Sequence, residues 1–193
     1  MSEPTRATIV AFIREIFARR GAEEYLGEPV TIAEHMLQGA YLASEAGEDD
    51  IVVAAALLHD IGHFTSEFGS FTMQDTTDRY HEQAGARVLA PFFPELVTDC
   101  VRLHVAAKRY LCATDPTYFA ELSPASVHSL HLQGGPMNAE EIRDFERHPN
   151  AQAIVRVRRY DDGGKMVGVS VPGFDHYAAL LQRVVDRQTQ RQA

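Results

Sequence analysis

The sequence contains no tryptophan and, among its 193 residues, only two cysteines, Cys100 and Cys112. Two thiols outside a CxxC spacing do not make a disulfide framework, so we expect both to stay reduced. The first twenty residues also lack an uninterrupted apolar run, because charged residues occur among the apolar ones at helical spacing. Neither a signal peptide nor a membrane span is predicted, and we expect a cytoplasmic protein without a membrane partner.

Positive charge is scarce as well, with 18 lysines and arginines against 27 aspartates and glutamates and a formal net charge of −9. No basic stripe offsets this balance, which argues against nucleic acid as a partner. The chain has the size of one globular domain and is 45% hydrophobic. We therefore expect a single domain over 1–193, with a core at about 25–180, that is a monomer or a weak homodimer.

Apolar residues recur at helical spacing in seven segments, which predicts an all-α fold. These segments are 6–19, 32–46, 51–63, 81–90, 94–112, 139–148 and about 174–189. The stretches 64–80 and 131–138 lack this period and are predicted loops, the first lying over a functional site. A short extended piece is predicted at 167–172, and Gly62 is expected to close or kink the third helix.

The strongest chemical signal is the pair His59-Asp60, which ends the apolar run IVVAAALLHD. Burying an adjacent imidazole and carboxylate without partners costs several kcal/mol, so such a pair indicates a ligand. Isolated histidines at His35, His81 and His104 and a late aspartate complete the set. Imidazole and carboxylate suit iron, manganese or zinc, and the set exceeds what one tetrahedral ion uses. We therefore predict a two-metal site.

Helical spacing also brings charged groups together with these ligands. The pairs at three or four residues are His59 with His63, His104 with Lys108, and Arg158 with Asp161. Each pair would place a second polar group on the same helix face as a predicted ligand.

The order His35, His59-Asp60, His81, His104, Asp161 resembles that of the HD-domain superfamily, in particular its six-ligand, two-metal members. Within that superfamily the chain is similar to the mixed-valent di-iron oxygenases, which include myo-inositol oxygenase and the microbial 2-amino-1-hydroxyethylphosphonate oxygenases. The similarity to the phosphonate branch runs from about residue 25 to residue 177. It includes YLGE at 25–28, HDIGH at 59–63, HVAAKRYL at 104–111, LSPAS at 122–126, LQGGPM at 132–137 and RRYDDGGK at 158–165.

The resemblance implies an HD-type helical bundle with two iron ions in its core, one Fe(II) and one Fe(III). It implies His35, His59, Asp60 and Asp161 on one iron, with His81, His104 and Asp60 on the other, so that Asp60 bridges. Asp161 is preferred to Asp162 as the ligand because the related oxygenases place a lysine four positions after it, as Lys165 stands here. Asp162 is then expected to cap the helix or to face solvent.

The resemblance also assigns the substrate side of the site. It implies that Lys108, Ser126 and Arg158 hold a phosphonate group, for which charged donors are well suited. Tyr25 and Glu28 match a mobile pair that occupies the resting site and moves out when substrate binds. His63 is expected near the amino end of the substrate, and Gln133 in the pocket wall.

The implied activity is O2-dependent cleavage of the C–P bond of (1R)-1-hydroxy-2-(trimethylamino)ethylphosphonate to glycine betaine and phosphate, in organophosphonate catabolism. Two alternatives remain: the same reaction on 2-amino-1-hydroxyethylphosphonate, giving glycine, and a metal-dependent phosphohydrolase. The trimethylammonium substrate is favoured because the segment 64–80 offers aromatic rings and acids to a quaternary cation. These residues are Phe64, Phe68, Phe71, Tyr80, Glu67, Asp75 and Asp78.

Overall fold

A computed structural model describes residues 4–25, 27–65 and 76–192, and within these ranges the chain is helical, without a strand. The predicted all-α class is confirmed. The helices are α1 (Ile9–Arg20), α2 (Ile32–Glu45), α3 (Asp50–Leu58), α4 (Gly62–Thr65), α5 (His81–Leu89), α6 (Glu95–Thr114), α7 (Tyr118–Glu121), α8 (Pro124–Leu132), α9 (Ala139–Glu146), α10 (Ala151–Gly163) and α11 (Phe174–Gln192). None of those helices combines the length and the apolar character needed to span a bilayer.

Helix α3 lies at the centre of the fold. Every residue from Val52 to Leu58 is buried, and the helix packs against α2, α6, α10 and α11. A helix that is apolar on all sides needs such a complete cover. Asp49 fixes its start, because the carboxylate accepts hydrogen bonds from the backbone N–H groups of Ile51 and Val52, each at 3.0 Å. The other end of α3 therefore delivers the next residues into the middle of the protein.

The predicted helix 51–63 is wrong in its last turn. Helix α3 ends at Leu58, residues 59–61 form a tight turn, and α4 begins at Gly62. Within the turn, Ile61 N–H donates to Leu58 O at 3.1 Å and His63 N–H donates to Asp60 O at 3.0 Å. The break at Gly62 was predicted, but its cause is a contact between helices that the sequence does not display.

Gly62 is required because α4 and α5 touch through their backbones. A Cβ atom on Gly62 would lie 1.8 Å from the carbonyl oxygen of His81 and 3.0 Å from the nitrogen of Gly85. We expect Gly62→Ala to lower the free energy of unfolding by about 3 kcal/mol, since neither backbone can yield without moving its helix. Urea denaturation measures this. Gly173→Ala is the control, because nothing lies within 4 Å of its Cβ position; equal losses in both variants would contradict the explanation.

Helices α7 and α8 were not predicted, and α10 was expected only from the helical spacing of Arg158 and Asp161, without bounds. In α10, the apolar stripe is narrow: Ala153, Ile154 and Val157 are buried together with Arg158 and Asp161. A helix whose buried face is partly charged does not give the usual apolar period. The extended piece predicted at 167–172 forms no strand, and its first two residues lie in a turn. Residues 66–75 of the predicted loop 64–80 lie outside the described ranges, and the single domain stays a prediction.

Candidate metal centre

The structure brings all six predicted metal ligands into one cluster, in which His81 is partly exposed and the other five are buried. His35 comes from α2, His59 and Asp60 from the turn after α3, His81 from the start of α5, His104 from α6 and Asp161 from α10. The tight turn at 59–61 places an imidazole and a carboxylate side by side at the protein centre. The cluster divides into two groups, each built around a pair of histidines.

The first group contains His35 and His59, whose Nε2 atoms lie 2.9 Å apart. Their Nδ1 atoms face backbone carbonyls, of Gly164 at 3.0 Å and of Ala56 at 2.8 Å. A carbonyl oxygen only accepts, so each Nδ1 carries a hydrogen, and each Nε2 faces inward, where its lone pair can bind a metal ion. Asp60 Oδ2 lies 3.5 Å from both Nε2 atoms, and Asp161 Oδ1 lies 3.4 Å from that of His35.

The second group contains His81 and His104, whose Nε2 atoms lie 3.1 Å apart. Asp60 Oδ1 lies 3.2 Å from the first and 3.3 Å from the second. His104 Nδ1 donates to Val101 O at 2.7 Å, which again leaves Nε2 free to accept. The two oxygens of Asp60 therefore face different histidine pairs, as a bridging ligand requires.

These donors fit metal ions. Two inward lone pairs repel each other unless a cation lies between them, and within the described chain the buried Asp60 Oδ2 and Asp161 Oδ1 have no hydrogen-bond donor. Burial lowers the pKa of His59, but the carboxylates of Asp60 and Asp161 outweigh burial and raise that pKa to about 9. The cluster thus requires positive charge, and its imidazole and carboxylate donors form a metal site.

A cavity adjoins the second histidine pair and opens to solvent. His35 and His59 lie behind its wall, whereas the residues predicted to bind substrate and the predicted mobile pair, Tyr25 and Glu28, all line it. These are Tyr25, Glu28, His63, Lys108, Ser126, Gln133 and Arg158. The cavity therefore gives a small molecule access to the metal site and to these side chains together.

Four lysines and arginines line this cavity, and three of them, Lys108, Arg158 and Lys165, lie close enough together to repel one another; the fourth is Arg79. Lys108 is buried and donates from Nζ to Ser129 Oγ at 2.7 Å, and Lys165 Nζ donates to Ser126 Oγ at 2.9 Å. Burial and, next, the Arg158 guanidinium lower the pKa of Lys108 to about 7. Buried cations that repel one another are stabilised by an anion, so the cavity is suited to an anionic ligand.

Asp162 neither caps α10 nor faces solvent, and that expectation was wrong. Its Oδ2 accepts from the Tyr118 hydroxyl at 2.5 Å and from Arg158 Nε at 3.1 Å, and its Oδ1 accepts from Arg158 Nη2. Arg158 Nη1 pairs with Asp161 Oδ2 at 2.6 Å. The guanidinium is therefore fixed by two neighbouring carboxylates and by Tyr118, a residue that no sequence motif indicated.

Tyr25, Glu28 and His63 lie where the metal cluster meets the cavity. The Tyr25 ring stacks on His35, with centroids 4.0 Å apart, and Glu28 accepts from the Ser123 hydroxyl. The His63 ring stacks on His81 at 4.1 Å, and within the described residues neither of its nitrogens has a hydrogen-bond partner. Burial and the charge of His81 lower the pKa of His63 to about 3, so its ring is neutral.

The predicted aromatic surface for a quaternary cation is only partly described, and one member of it is wrong. Phe64 packs into the core against Phe17, with centroids 5.7 Å apart, and does not line the cavity. Tyr80 is 62% exposed, whereas Asp78 lines the cavity. Phe68, Phe71, Glu67 and Asp75 lie outside the described residues.

Comparison with known proteins identifies relatives over almost the whole chain. The sequence pattern of the family described as HD domain matches residues 32–144. The chain is 60% identical over 187 residues to the [1-hydroxy-2-(trimethylamino)ethyl]phosphonate dioxygenase (glycine-betaine-forming) of Leisingera caerulea, covering 97% of this chain and 95% of that protein.

Two further relatives are more distant. The chain is 45% identical over 168 residues to the hydroxymethylphosphonate dioxygenase of Gimesia maris, covering 85% of this chain and 82% of that protein. It is 33% identical over 184 residues to an uncharacterized protein of Acanthamoeba polyphaga mimivirus, covering 92% of this chain and 82% of that protein. The matched HD segment includes His35 through His104 but ends before Arg158 and Asp161.

Proposed function

This chain belongs to the HD-domain family, and we propose that it is a dioxygenase that converts 1-hydroxy-2-(trimethylamino)ethylphosphonate to glycine betaine and phosphate. It is an oxidoreductase of organophosphonate catabolism. One observation carries the proposal: a carboxylate shared by two histidine pairs adjoins a cavity into which Lys108, Arg158 and Lys165 converge. The 60% identity to a protein of that named activity supports the choice of substrate.

We assign the metal site to two iron ions, one Fe(II) and one Fe(III). His35, His59, Asp60 and Asp161 would hold one ion, and Asp60, His81 and His104 the other. When bound, such a pair supplies the redox capacity to activate dioxygen and Lewis acidity toward the substrate hydroxyl. Support comes from Asp60, whose two carboxylate oxygens face different histidine pairs. Oδ2 lies near the Nε2 atoms of His35 and His59, and Oδ1 lies near those of the other pair.

The cations of the cavity bind the phosphonate. Lys108, Arg158 and Lys165 offer hydrogen bonds from charged donors to a dianionic tetrahedral group, and the Ser126 hydroxyl offers one from a neutral donor. Ion pairs with Asp161 and Asp162 already fix the Arg158 side chain. Binding the phosphonate therefore costs little further side-chain entropy at Arg158. Together these groups orient the carbinol carbon toward the metal site.

His63 and Gln133 form the remaining polar wall. A neutral His63 does not repel a trimethylammonium group, whereas an imidazolium would, and its low pKa keeps it neutral. The Gln133 Oε1 atom is buried and, among the described residues, has no donor, so it can accept from the substrate hydroxyl. Both residues thus favour a substrate with a cation at one end and a hydroxyl beside the phosphonate.

Tyr25 and Glu28 exclude water before substrate arrives. Burial raises the pKa of the Tyr25 phenol, and Asp60 and Asp161 raise it further, so the ring remains neutral against His35. Glu28 lies 3.4 Å from Lys165 Nζ, beside the cations assigned to the phosphonate. An arriving phosphonate competes for Lys165, and we propose that Glu28 and Tyr25 then move out together.

The reaction balances without an external reductant. The hydroxyphosphonate dianion and one O2 give the carboxylate of glycine betaine, one hydrogen phosphate dianion and one proton. The C–P and carbinol C–H bonds break, a C–O and a P–O bond form, and O2 is the four-electron oxidant. One oxygen atom of O2 enters each product.

The test is turnover of iron-loaded protein under ¹⁸O2. We expect glycine betaine and phosphate in equal amounts, each with one ¹⁸O atom, and one O2 consumed per substrate. A phosphohydrolase would consume no O2 and form no glycine betaine, because hydrolysis does not oxidise the carbinol carbon; that outcome would refute the proposal. 2-Amino-1-hydroxyethylphosphonate is the comparison substrate: glycine formation more efficient than betaine formation would reassign the substrate but retain the reaction.

A further inference from the structure

Residues 164–166, here called the strap, follow α10 and are attached to α2 by polar groups at both ends. At one end, His35 Nδ1 donates to Gly164 O at 3.0 Å. At the other, Gln38 Nε2 donates to Met166 O at 2.8 Å, and Gln38 Oε1 accepts from Met166 N–H at 2.9 Å. The Gln38 amide therefore pairs with the backbone of one residue as a neighbouring strand would.

Apolar packing does not explain how the strap is held. Met166 and Val167 are 61% and 66% exposed, whereas Gln38 is only 3% exposed. Burying an amide side chain is costly unless it is hydrogen-bonded, and this one uses its bonds on the strap backbone. The backbone also runs close against α2, because a Cβ atom on Gly164 would lie 2.8 Å from His35 O. The position of the strap backbone thus depends on these hydrogen bonds.

Lys165 lies between the two attachments and turns its side chain into the cavity. Its Nζ donates to Ser126 Oγ at 2.9 Å and lies 3.4 Å from Glu28 Oε1. A lysine has four rotatable side-chain bonds, so its reach is defined only when its backbone is fixed. Here the residues on both sides of it are fixed.

We propose that Gln38 is a positioning residue of the phosphonate site, which holds the Met166 end of the strap so that Lys165 reaches the bound phosphonate. The inference rests on the proposed function, because it takes the phosphonate as the ligand of Lys165. The bond from His35 to Gly164 does not involve Gln38, so loss of the amide loosens one end of the strap and leaves the metal ligand in place. Gln38 then affects phosphonate binding only through Lys165.

Hydrogen exchange tests the attachment in the iron-loaded protein. Gln38→Met keeps the side-chain length and removes both hydrogen bonds, so we expect the Met166 amide to exchange roughly tenfold faster or more, with iron content unchanged. Met166→Ala is the matched control, because it changes an exposed side chain and keeps both backbone bonds. Free exchange of the Met166 amide in the wild-type protein would overturn the inference.

Calorimetric titration with 1-hydroxy-2-(trimethylamino)ethylphosphonate, without oxygen, tests the route through Lys165. We expect Gln38→Met to weaken binding about tenfold, Lys165→Met to weaken it at least as much, and the double variant to match Lys165→Met. A further tenfold loss in the double variant would mean that Gln38 acts elsewhere, and would overturn the inference. Absence of binding by the wild-type protein would refute the proposed function, and with it this role of Gln38, even if the exchange result held.

Discussion

Asp60→Asn is expected to release metal from both halves of the centre and to reduce turnover at least about a thousandfold. The carboxylate turns Oδ2 toward His35 and His59 and Oδ1 toward His81 and His104, at 3.2 to 3.5 Å. An amide supplies one neutral oxygen, and its NH2 group would face one of the histidine pairs as a donor. Iron per chain, measured by atomic emission after dialysis, should fall from two to below one.

Two other variants separate this effect from general damage. Asp99→Asn changes another buried carboxylate, whose partners Arg102 and Asn150 lie outside the metal cluster, and should retain two irons. His81→Ala removes one ligand of the second group only, and should retain about one iron per chain. If Asp60→Asn kept both irons and its turnover, Asp60 would not be a bridging ligand.

The sequence predicted the fold class because most helices present a one-sided or fully apolar pattern. Helix α3 is the clearest case, since the whole of Val52–Leu58 is buried and begins at an acidic cap. His59-Asp60 could be identified as a candidate site for a related reason: a polar pair directly after such a run must lie inside the protein. Both inferences need only the apolar pattern of one segment and the rule that apolar segments are buried.

Other parts of the site depend on contacts between distant segments. The break between α3 and α4 follows from the approach of α5 to Gly62, and Tyr118 reaches Asp162 from 44 positions away in the sequence. The sequence motif connects Lys165 only with the position of Asp161, although the Lys165 side chain itself lines the cavity. Its role depends on Gln38, whose partner is 128 residues distant. No periodicity or motif within one segment contains this information.

Lys108→Met should weaken binding of the hydroxyphosphonate about fiftyfold, since a buried hydrogen bond from a charged donor contributes about 1.5–3 kcal/mol. Lys108 bonds to Ser129 and to no predicted metal ligand, so iron content should not change. Arg109→Met is the matched control on the same helix. Its side chain turns away from the cavity to Gly135 O and Glu141, and its loss should leave binding unaltered. Anaerobic titration measures both affinities.

The ratio of the hydroxyphosphonate affinity of the wild-type protein to that of Lys108→Met should also depend on pH. Burial and the Arg158 guanidinium lower the pKa of Lys108 to about 7 in the free protein. Below that pH the amine is charged and attracts the phosphonate; as pH rises through 7 the proton is lost, and with it the attraction. Ionisation of the phosphonate affects both proteins equally and cancels in the ratio of their affinities. That ratio should therefore fall between pH 6 and 9, and a constant ratio would show that Lys108 does not bind the phosphonate as a cation.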